Sequence, residues 1–311
     1  MIDAAAYASH IPVLLEGCME LMQPKSGGFY ADGTLGAGGH SEAILKASAP
    51  DGKLLSFDLD PTAIALASEK LASFGERVRI IRDSYTAIGS YAAEGSLDGF
   101  MVDLGVSSMQ LDQAERGFSF LHDGPLDMRF SPEQPFSAEN VINEWDESEL
   151  ARIFWLYGEE RRSRQVAAAV CAERKNGRIV TTGQLRKIVE KAAGSGKDRI
   201  HPATRIFQAV RIAVNGELDA VEAVLPAALK ALKPGGRLLV ISFHSLEDRI
   251  VKQFFRTESR DCVCPPEQPV CTCGHKAALK ELTRHPVIAD DAEISVNPRA
   301  RSAKLRAAVK L

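Results

Sequence analysis

The fold of this chain is decided by the stretch Asp32-Gly33-Thr34-Leu35-Gly36-Ala37-Gly38-Gly39-His40. It follows an apolar run, residues 28–31, that predicts a buried strand, and it precedes residues 41–45, which predict the first turns of a helix. A glycine-rich turn between strand and helix lets backbone approach a ligand closely, because glycine lacks a Cβ. Asp58 ends the next apolar run, where a carboxylate accepts hydrogen bonds from ribose hydroxyls. The pattern predicts a site for an adenosine-containing cofactor, with an ordinary strand-to-helix turn as the alternative.

The position of Asp32 ahead of the glycines distinguishes between cofactors. Dinucleotide sites hold a pyrophosphate at the helix N-terminus and typically show G-x-G-x-x-G. A carboxylate at residue 32 would repel pyrophosphate, whereas it attracts the ammonium group of an amino acid. S-adenosylmethionine carries that ammonium, a sulfonium and a ribose, and no phosphate. The loop therefore favours a methyltransferase over a nicotinamide-dependent dehydrogenase.

Length and composition limit the class of protein. The 311 residues exceed the usual size of one domain, so one interrupted domain or two domains are expected. No apolar run approaches the roughly 20 residues needed to cross a bilayer. Residues 1–7 lack the basic and apolar regions of a secretory signal. We therefore expect a cytoplasmic enzyme with no membrane partner, and the sequence leaves its oligomeric state open.

Cations are concentrated in two segments of a chain whose net charge is only −3. Between Arg161 and Arg211, thirteen Lys or Arg residues stand against three acids. Residues 294–311 contain five Lys or Arg residues and no acid. Basic segments in a nearly neutral protein indicate a polyanionic partner that contacts one face. Solvated helix faces are the alternative explanation.

Strands and helices alternate along the first hundred residues. The predicted strands cover residues 28–32, 53–58, 78–82 and 97–103, and the predicted helices begin near residue 38 and at residue 61. This alternation predicts a parallel sheet with helices on both faces. Residues 104–136 show no period and predict a long loop. Helices then follow the capping pairs Asp146/Glu149 and Thr181/Gln184, before a helix over 217–232 and a strand over 237–243.

Asp103 ends the fourth predicted strand, at the sheet edge where ligands bind in doubly wound folds. The lone pair of a nucleobase amine is delocalised into the ring, so the amine is a weak nucleophile. Hydrogen bonds from its N–H groups to a carboxylate favour a pyramidal nitrogen, which must then lie in line with the methyl carbon and its leaving group. Asp103 is therefore the candidate catalytic residue; a strand cap or a cofactor contact is the alternative.

Several long motifs resemble the ribosomal RNA small subunit methyltransferase H family. They are residues 32–40, 103–108, 114–120, 123–129, 201–205, 242–249 and 297–299, and the resemblance extends from residue 10 to the C-terminus. It implies S-adenosylmethionine-dependent methylation of the N4 amine of a cytidine in small-subunit rRNA. It also implies a discontinuous Rossmann-like class I methyltransferase domain of α/β class over residues 1–129 and 201–311. An inserted α-helical domain over 130–200 would then recognise the RNA.

Site residues follow from the same resemblance, position by position. The expected cofactor contacts are Gly38, Gly39, His40, Asp58, Tyr85, Asp103 and Gln110. Polar residues in the family motifs are Arg116, Asp127, Arg129, His201, Arg205, Asn215 and His244, of which Arg129, Arg205, Asn215 and His244 are the substrate candidates. Buried ion pairs or caps are the alternative for each. The expected partner is small-subunit rRNA or the small ribosomal subunit; an amino-methyltransferase of DNA or tRNA and a non-catalytic rRNA-binding assembly factor are the rival functions.

Four of the six cysteines lie close together as Cys262-x-Cys264 and Cys271-x-Cys273. Four thiols within twelve residues can make a tetrahedral zinc site, although zinc sites more often have C-x₂₋₄-C spacing. A cytoplasmic location argues against disulfides. We therefore expect free thiols and no metal, with zinc as the alternative.

Overall fold

The computed structural model describes residues 11–194, 201–268 and 270–311. Packing divides the chain into an α/β unit, Met1–Gly105 with Leu218–Leu311, and a helical unit, Val106–Glu217. The helical unit begins before the predicted boundary at residue 130 and ends after the one at residue 200. Phe118 and Met128 on one side, and Ile206 and Val210 on the other, are buried in the helical core, which explains the wider unit.

The described residues of the α/β unit form a sheet of seven strands. They are β1 Phe29–Asp32, β2 Lys53–Phe57, β3 Val78–Ile81, β4 Leu97–Asp103, β5 Leu232–Ser242, β6 Leu279–Glu281 and β7 Lys304–Lys310. The strand order is β3-β2-β1-β4-β5-β7-β6. Strands β1 to β5 are parallel, and β7 runs antiparallel to both β5 and β6. The carboxyl ends of β1, β2 and β4 therefore meet at one edge of the sheet, which we call the carboxyl edge.

Helices connect the strands of the α/β unit and build the helical unit. In chain order they are α1 Leu15–Met22, α2 Gly39–Ala47, α3 Pro61–Leu71, α4 Ile88–Tyr91, α5 Ser108–Asp112, α6 Ala138–Glu144, α7 Glu147–Leu156, α8 Ser163–Glu173, α9 Thr182–Ala193, α10 Pro202–Asn215, α11 Glu217–Ala231, α12 Ser245–Glu258 and α13 Asp291–Val296. The predicted alternation of strands and helices is confirmed. The fourth strand has the predicted bounds, and the first three and their helices differ from prediction by one or two residues at their ends.

Strand β5 buries both of its faces. Leu238 and Val240 lie in the core on one side of the sheet. Leu239 and Ile241 lie in the core on the other side. Such two-sided burial is why the parallel strands read as continuous apolar runs rather than as alternating ones. The strand begins at Leu232, earlier than predicted, because Leu232 pairs with Leu97 before the register shifts to Gly99 and Arg237.

The helical unit has its own apolar core, built from helices α6 to α10. The predicted capping pairs are both present: Asp146 with Glu149 begins α7, and Thr181 with Gln184 begins α9. The predicted long loop over 104–136 contains the short helix α5. The helix could not be predicted, because this segment shows no periodic pattern of apolar residues. Phe118 and Leu126 from that segment are buried in the helical core, so the segment is packed rather than free.

Three predictions fall partly on residues outside the described ranges. The basic segment Arg161–Arg211 includes residues 195–200, the expectation about a secretory signal concerns residues 1–7, and the cysteine segment includes Pro269. Of the basic segment, Arg161 and Arg164 are exposed. Arg162 donates a hydrogen bond from its guanidinium to the carbonyl of Ala193. Searching the described ranges for a membrane span finds no helix with the necessary length and apolar character.

Candidate active site

The glycine loop connects β1 to α2 at the carboxyl edge. Gly38 precedes α2 with φ of 78°, a conformation that glycine adopts without strain, and it offers no side chain to cap the helix. A Cβ on Gly39 would collide with the ring of Pro12. The loop is fixed by main-chain bonds from Gly33 N–H to the Met101 carbonyl and from Leu35 N–H to the Phe57 carbonyl, each 2.8 Å. The N-terminus of α2 therefore presents backbone, not side chains, at this edge.

Asp32 supports the loop from inside. Its side chain is fully buried. One carboxylate oxygen accepts the Thr34 N–H at 3.0 Å and the other accepts the Ser41 hydroxyl at 2.7 Å. Both oxygens help to shape the turn and each keeps acceptor capacity, so the expectation that Asp32 meets the ammonium of a cofactor stays a prediction. Burial raises the pKa of this carboxyl above its ordinary value.

Asp58 follows β2 and joins two turns at the carboxyl edge. Its Oδ2 accepts the Gly36 N–H at 2.8 Å, and its Oδ1 accepts the Asp60 N–H at 2.9 Å. Loss of hydration raises the pKa of Asp58 to about 6. The two hydrogen bonds oppose this shift, because they favour the ionised form. The carboxylate lies beside the glycine loop, where the sequence places a ribose-binding acid. Each oxygen keeps acceptor capacity for a ribose hydroxyl.

Asp103 ends β4 between the neighbouring strands β1 and β5. Its main-chain N–H donates to the Thr34 hydroxyl at 2.7 Å. Its Oδ2 lies 3.9 Å from Nδ1 of His40, beyond hydrogen-bond distance. Its Oδ1 is buried and has no hydrogen-bond partner among the described residues. Such an atom is costly unless a ligand satisfies it.

The electrostatic surroundings of Asp103 favour a cation. Burial is the largest cause that raises the pKa of this carboxyl well above its ordinary value, and the carboxylates of Asp32 and Glu247 raise it further. Like charges in a poorly hydrated site resist ionisation together. A positively charged ligand would relieve that repulsion and would restore the ionised form of Asp103. The site therefore suits a sulfonium and an ammonium far better than a pyrophosphate.

His40 ties the N-terminal segment to the glycine loop. The ring is buried, and its Nε2 donates to the Val13 carbonyl at 3.0 Å, since a carbonyl only accepts. Burial lowers the pKa of His40, so the neutral ring has its lone pair on Nδ1, the atom that faces Asp103. Glu293 accepts the Leu14 N–H at 2.6 Å and holds the same segment. The His40 side chain thus has a structural role next to the site.

Two further predicted cofactor contacts lie in different units. Tyr85 begins a short 3-10 turn after β3, within the α/β unit, and a Cβ on Gly33 would approach its Cβ to 2.9 Å. Tyr85 therefore packs on the glycine loop, as an adenine-contacting ring would. Gln110 lies in the helical unit, where it forms a capping box with Ser107 at the start of α5.

Two substrate candidates are bound within the helical unit. Arg129 donates from Nε and Nη2 to the Asp127 carboxylate at 2.9 and 2.7 Å. Asn215 accepts the Phe130 N–H at 2.9 Å and donates to the carbonyls of Met128 and Arg211 at 2.7 and 3.0 Å. These contacts fix the segment 127–130 against α10. The alternative of internal ion pairs and caps describes both residues in this structure.

The other two substrate candidates differ in burial. Arg205 is half-buried and lies 3.5 Å from the carboxylate of Glu160 in the helical unit. His244 caps α12, with Nδ1 accepting the Glu247 N–H at 3.4 Å. Its Nε2 is buried and lies 3.2 Å from Oε1 of Glu247, without the geometry of a hydrogen bond. His244 follows β5 and so lies at the carboxyl edge, as Asp103 does.

Sequence reasoning missed three residues that shape the site. Thr34 and Ser41 lie in or next to the glycine loop, and their hydroxyls bind the Asp103 main chain and the Asp32 carboxylate. Glu247 is almost fully buried, accepts the Phe243 N–H at 2.9 Å and raises the pKa of Asp103. Glu247 is part of one of the motifs that carry the family resemblance. The spacing of an acidic residue within a helix does not indicate whether its side chain is buried.

The fold and the site together define the class of protein. Three features define a class I S-adenosylmethionine-dependent methyltransferase. They are a parallel sheet in the order β3-β2-β1-β4-β5 with an antiparallel β7, a glycine loop after β1 and an acid after β2. The model of the MraW methylase family matches residues 7–311, and the chain belongs to this family.

Two relatives of similar length agree with that membership. A relative from Geobacter sulfurreducens, named ribosomal RNA small subunit methyltransferase H, is 52% identical over 308 residues, which cover 97% of this chain and 99% of the relative. A relative of the same name from Heliobacterium modesticaldum is 51% identical over 308 residues, covering 97% and 98% of the two chains. Among solved structures, an rRNA methylase from Streptococcus thermophilus is 11% identical with a TM-score of 0.43, over 96% of this chain and 93% of that one.

Proposed function

We propose that this protein transfers the methyl group of S-adenosylmethionine to the N4 amine of a cytidine in small-subunit ribosomal RNA, in the cytoplasm. The relatives named ribosomal RNA small subunit methyltransferase H support the substrate class, since they cover nearly the whole chain at about half identity. The observation that carries the chemistry is the buried, unpartnered Oδ1 of Asp103 at the carboxyl edge. A methylated amine needs both a hydrogen-bond acceptor and an acceptor for the proton that it loses.

The residues present fit S-adenosylmethionine. Gly38 and Gly39 leave the N-terminus of α2 open for the cofactor carboxylate, Asp58 offers oxygens to the ribose, and Tyr85 offers a ring to adenine. Gln110 stays a proposed cofactor contact because of the family resemblance. When bound, the cofactor supplies an electrophilic methyl group on a sulfonium. Its positive charge matches the acidic surroundings of Asp103.

Asp103 then has two tasks in the reaction. Its carboxylate accepts a hydrogen bond from the N4 amine and so favours a pyramidal nitrogen with an available lone pair. S-adenosylmethionine, when bound, would supply the methyl group and keep the electron pair of the broken S–C bond, which would leave the positive charge on the amine nitrogen. Asp103 takes the N–H proton, because the loss of the sulfonium charge returns its pKa toward the raised value of the cofactor-free site.

Recognition of the RNA is assigned to the helical unit. Its exposed cations, Arg161 and Arg164 among them, would bind phosphates of the RNA. The substrate candidates are still Arg129, Arg205, Asn215 and His244. Arg129 and Asn215 also hold the segment 127–130 in place. The expected partner is small-subunit rRNA, either free or assembled into the particle.

Methyl transfer by the purified protein tests the function. Small ribosomal subunits lacking the modification, free small-subunit rRNA, tRNA and DNA are each incubated with methyl-labelled S-adenosylmethionine, and the nucleosides are separated after digestion. We expect the label in N4-methylcytidine from the subunit or its RNA, at a rate that the Asp103→Asn variant lowers by about 10²-fold or more. Label in tRNA or DNA, or in another nucleoside, would overturn the proposal, and cofactor binding without any transfer would favour an assembly factor.

A further inference from the structure

Four cysteines converge in the loop between α12 and β6, away from the candidate active site. The Sγ atoms of Cys262 and Cys271 are 3.4 Å apart, those of Cys271 and Cys273 are 3.5 Å apart, and those of Cys264 and Cys271 are 4.0 Å apart. All four sulfurs lie within 4.8 Å of one another. We propose that these residues, the thiol cluster, bind one zinc ion that fixes this loop.

The separations of the sulfurs match a single tetrahedral ion. With Zn–S bonds of about 2.3 Å, tetrahedral geometry places the sulfurs about 3.8 Å apart. Four of the six sulfur–sulfur separations in the thiol cluster, from 3.4 to 4.0 Å, lie on both sides of that value, and all six are within 4.8 Å. An iron–sulfur cube would hold each cysteine on a different iron and hence keep the sulfurs farther apart. Four thiolates around one ion favour zinc among the metals that take tetrahedral sulfur ligands.

A tight turn brings the two C-x-C pairs together despite their short internal spacing. Gln268 N–H donates to the Pro265 carbonyl at 3.0 Å, and Gln268 Nε2 donates to the Thr272 hydroxyl at 2.8 Å. The main-chain N–H groups of Val263 and His275 both donate to Cys273 Sγ, each at 3.5 Å. Donors aimed at a sulfur stabilise its thiolate charge and orient it as a ligand. The backbone thus prepares the sulfurs as ligands.

The loop has little apolar packing of its own to explain this convergence. Val263 is 43% exposed and Val270 is 68% exposed, and three of the four cysteines are exposed. A connection of this length without secondary structure is uncommon in a compact unit. Segments too small to build a core commonly use a bound metal instead. An ion held by the thiol cluster would supply the organisation that side-chain packing does not.

The position of the loop makes the proposed ion structural rather than catalytic. Ala278 N–H donates to the Glu258 carbonyl, so the loop closes at the end of α12. The next residue, Leu279, pairs with Lys310, whose neighbour Val309 pairs with Arg237, the sixth residue of β5. Asp103 pairs with Ile241, four residues further along β5. At about 3.3 Å per residue, the point where the loop joins β6 is on the order of 15 Å from the carboxyl edge.

Metal analysis of the purified protein tests the proposal. We expect one zinc ion per chain in the wild-type protein and less than a tenth of that amount in the double variant Cys262→Ser/Cys271→Ser. The control Cys171→Ser, which removes a thiol from the helical unit, should keep the full amount of zinc. Substitution by Co²⁺ should give the visible absorption of a tetrahedral thiolate site. S-adenosylhomocysteine binding should change less than twofold in the double variant, which shows that a loss of zinc is not a loss of the fold.

Three results would overturn the proposal. The first is wild-type protein that contains no metal and whose four cluster thiols all react freely. The second is the presence of disulfides among these cysteines in protein from a reducing cytoplasm. The third is iron in place of zinc. If the double variant fails to fold, chelation of the wild-type protein decides instead. Release of zinc together with four newly reactive thiols supports the site, and an unchanged thiol count contradicts it. None of these outcomes depends on methyl transfer, so the zinc site and the proposed function fail separately.

Discussion

Replacement of Asp58 by Asn removes the charge that is proposed to bind the cofactor ribose. The side chain keeps its shape and one oxygen, which can still accept the Gly36 N–H. Hydrogen bonds to a charged group contribute about 1.5–3 kcal/mol, so S-adenosylhomocysteine should bind Asp58→Asn roughly 10- to 150-fold more weakly at pH 7. Titration calorimetry measures this difference directly.

The pH dependence isolates the charge from other effects of the substitution. Because the pKa of Asp58 is raised to about 6, the carboxyl is about nine-tenths ionised at pH 7 and about one-tenth ionised at pH 5. Ribose hydroxyls donate to the ionised form, so this contribution is full above the pKa and is lost as the pH falls through it. The ratio of variant to wild-type dissociation constants should therefore fall about tenfold from pH 7 to pH 5, or about 1.4 kcal/mol.

Other titrating groups cancel in that ratio, since both proteins carry them. Asp103, whose pKa is raised as well, is the most important of these. A ratio that stays constant between pH 5 and pH 7 would refute the ionised Asp58 as the ribose acceptor. Equal affinities at pH 7 would refute the ribose assignment altogether.

Three other variants separate chemistry, RNA binding and structure. Asp103→Asn should slow single-turnover methyl transfer at saturating cofactor by about 10²-fold or more, and a normal rate with weaker cofactor binding would make Asp103 a binding residue only. Arg161→Gln with Arg164→Gln should weaken RNA binding and flatten its log–log salt dependence by about 1.4, two phosphate contacts at about 0.7 each. The control Arg178→Gln should keep the wild-type slope, because Arg178 is already paired with Glu139 and Glu144. An unchanged slope in the Arg161/Arg164 double variant would exclude these two residues from the RNA-binding surface. Asn215→Ala should lower the unfolding free energy by about 1–3 kcal/mol through its lost hydrogen bonds; unchanged stability with weaker RNA binding would make it a substrate contact.

The carboxyl edge could be predicted from sequence because its signals are local. Strands buried on both faces give apolar runs, and a glycine turn or an acid at the end of such a run marks the edge without further information. Asp58 and Asp103 were located in this way, and the structure places both at the carboxyl edge. Position alone did not show that the Asp32 carboxylate is buried and accepts hydrogen bonds from Thr34 and Ser41, and its contact with a cofactor ammonium stays a prediction.

Features that depend on distant contacts could not be predicted. The segment 104–136 shows no helical period, yet Met128 and Phe118 are buried against helices more than twenty residues away in sequence. The cysteines show the same limit: C-x-C spacing argues weakly for a metal, whereas the turn around Gln268 brings the sulfurs together. Glu247 affects Asp103 only because β4 and β5 are neighbours in the sheet.

Nucleoside mass spectrometry of small-subunit rRNA from cells lacking this protein tests the central claim most directly. The rRNA of the parent strain and of a strain complemented with Asp103→Asn are analysed beside it. The account predicts that N4-methylation of one cytidine disappears in the deletion strain, returns with the wild-type gene and does not return with Asp103→Asn. An unchanged N4-methylcytidine signal in the deletion strain would contradict it.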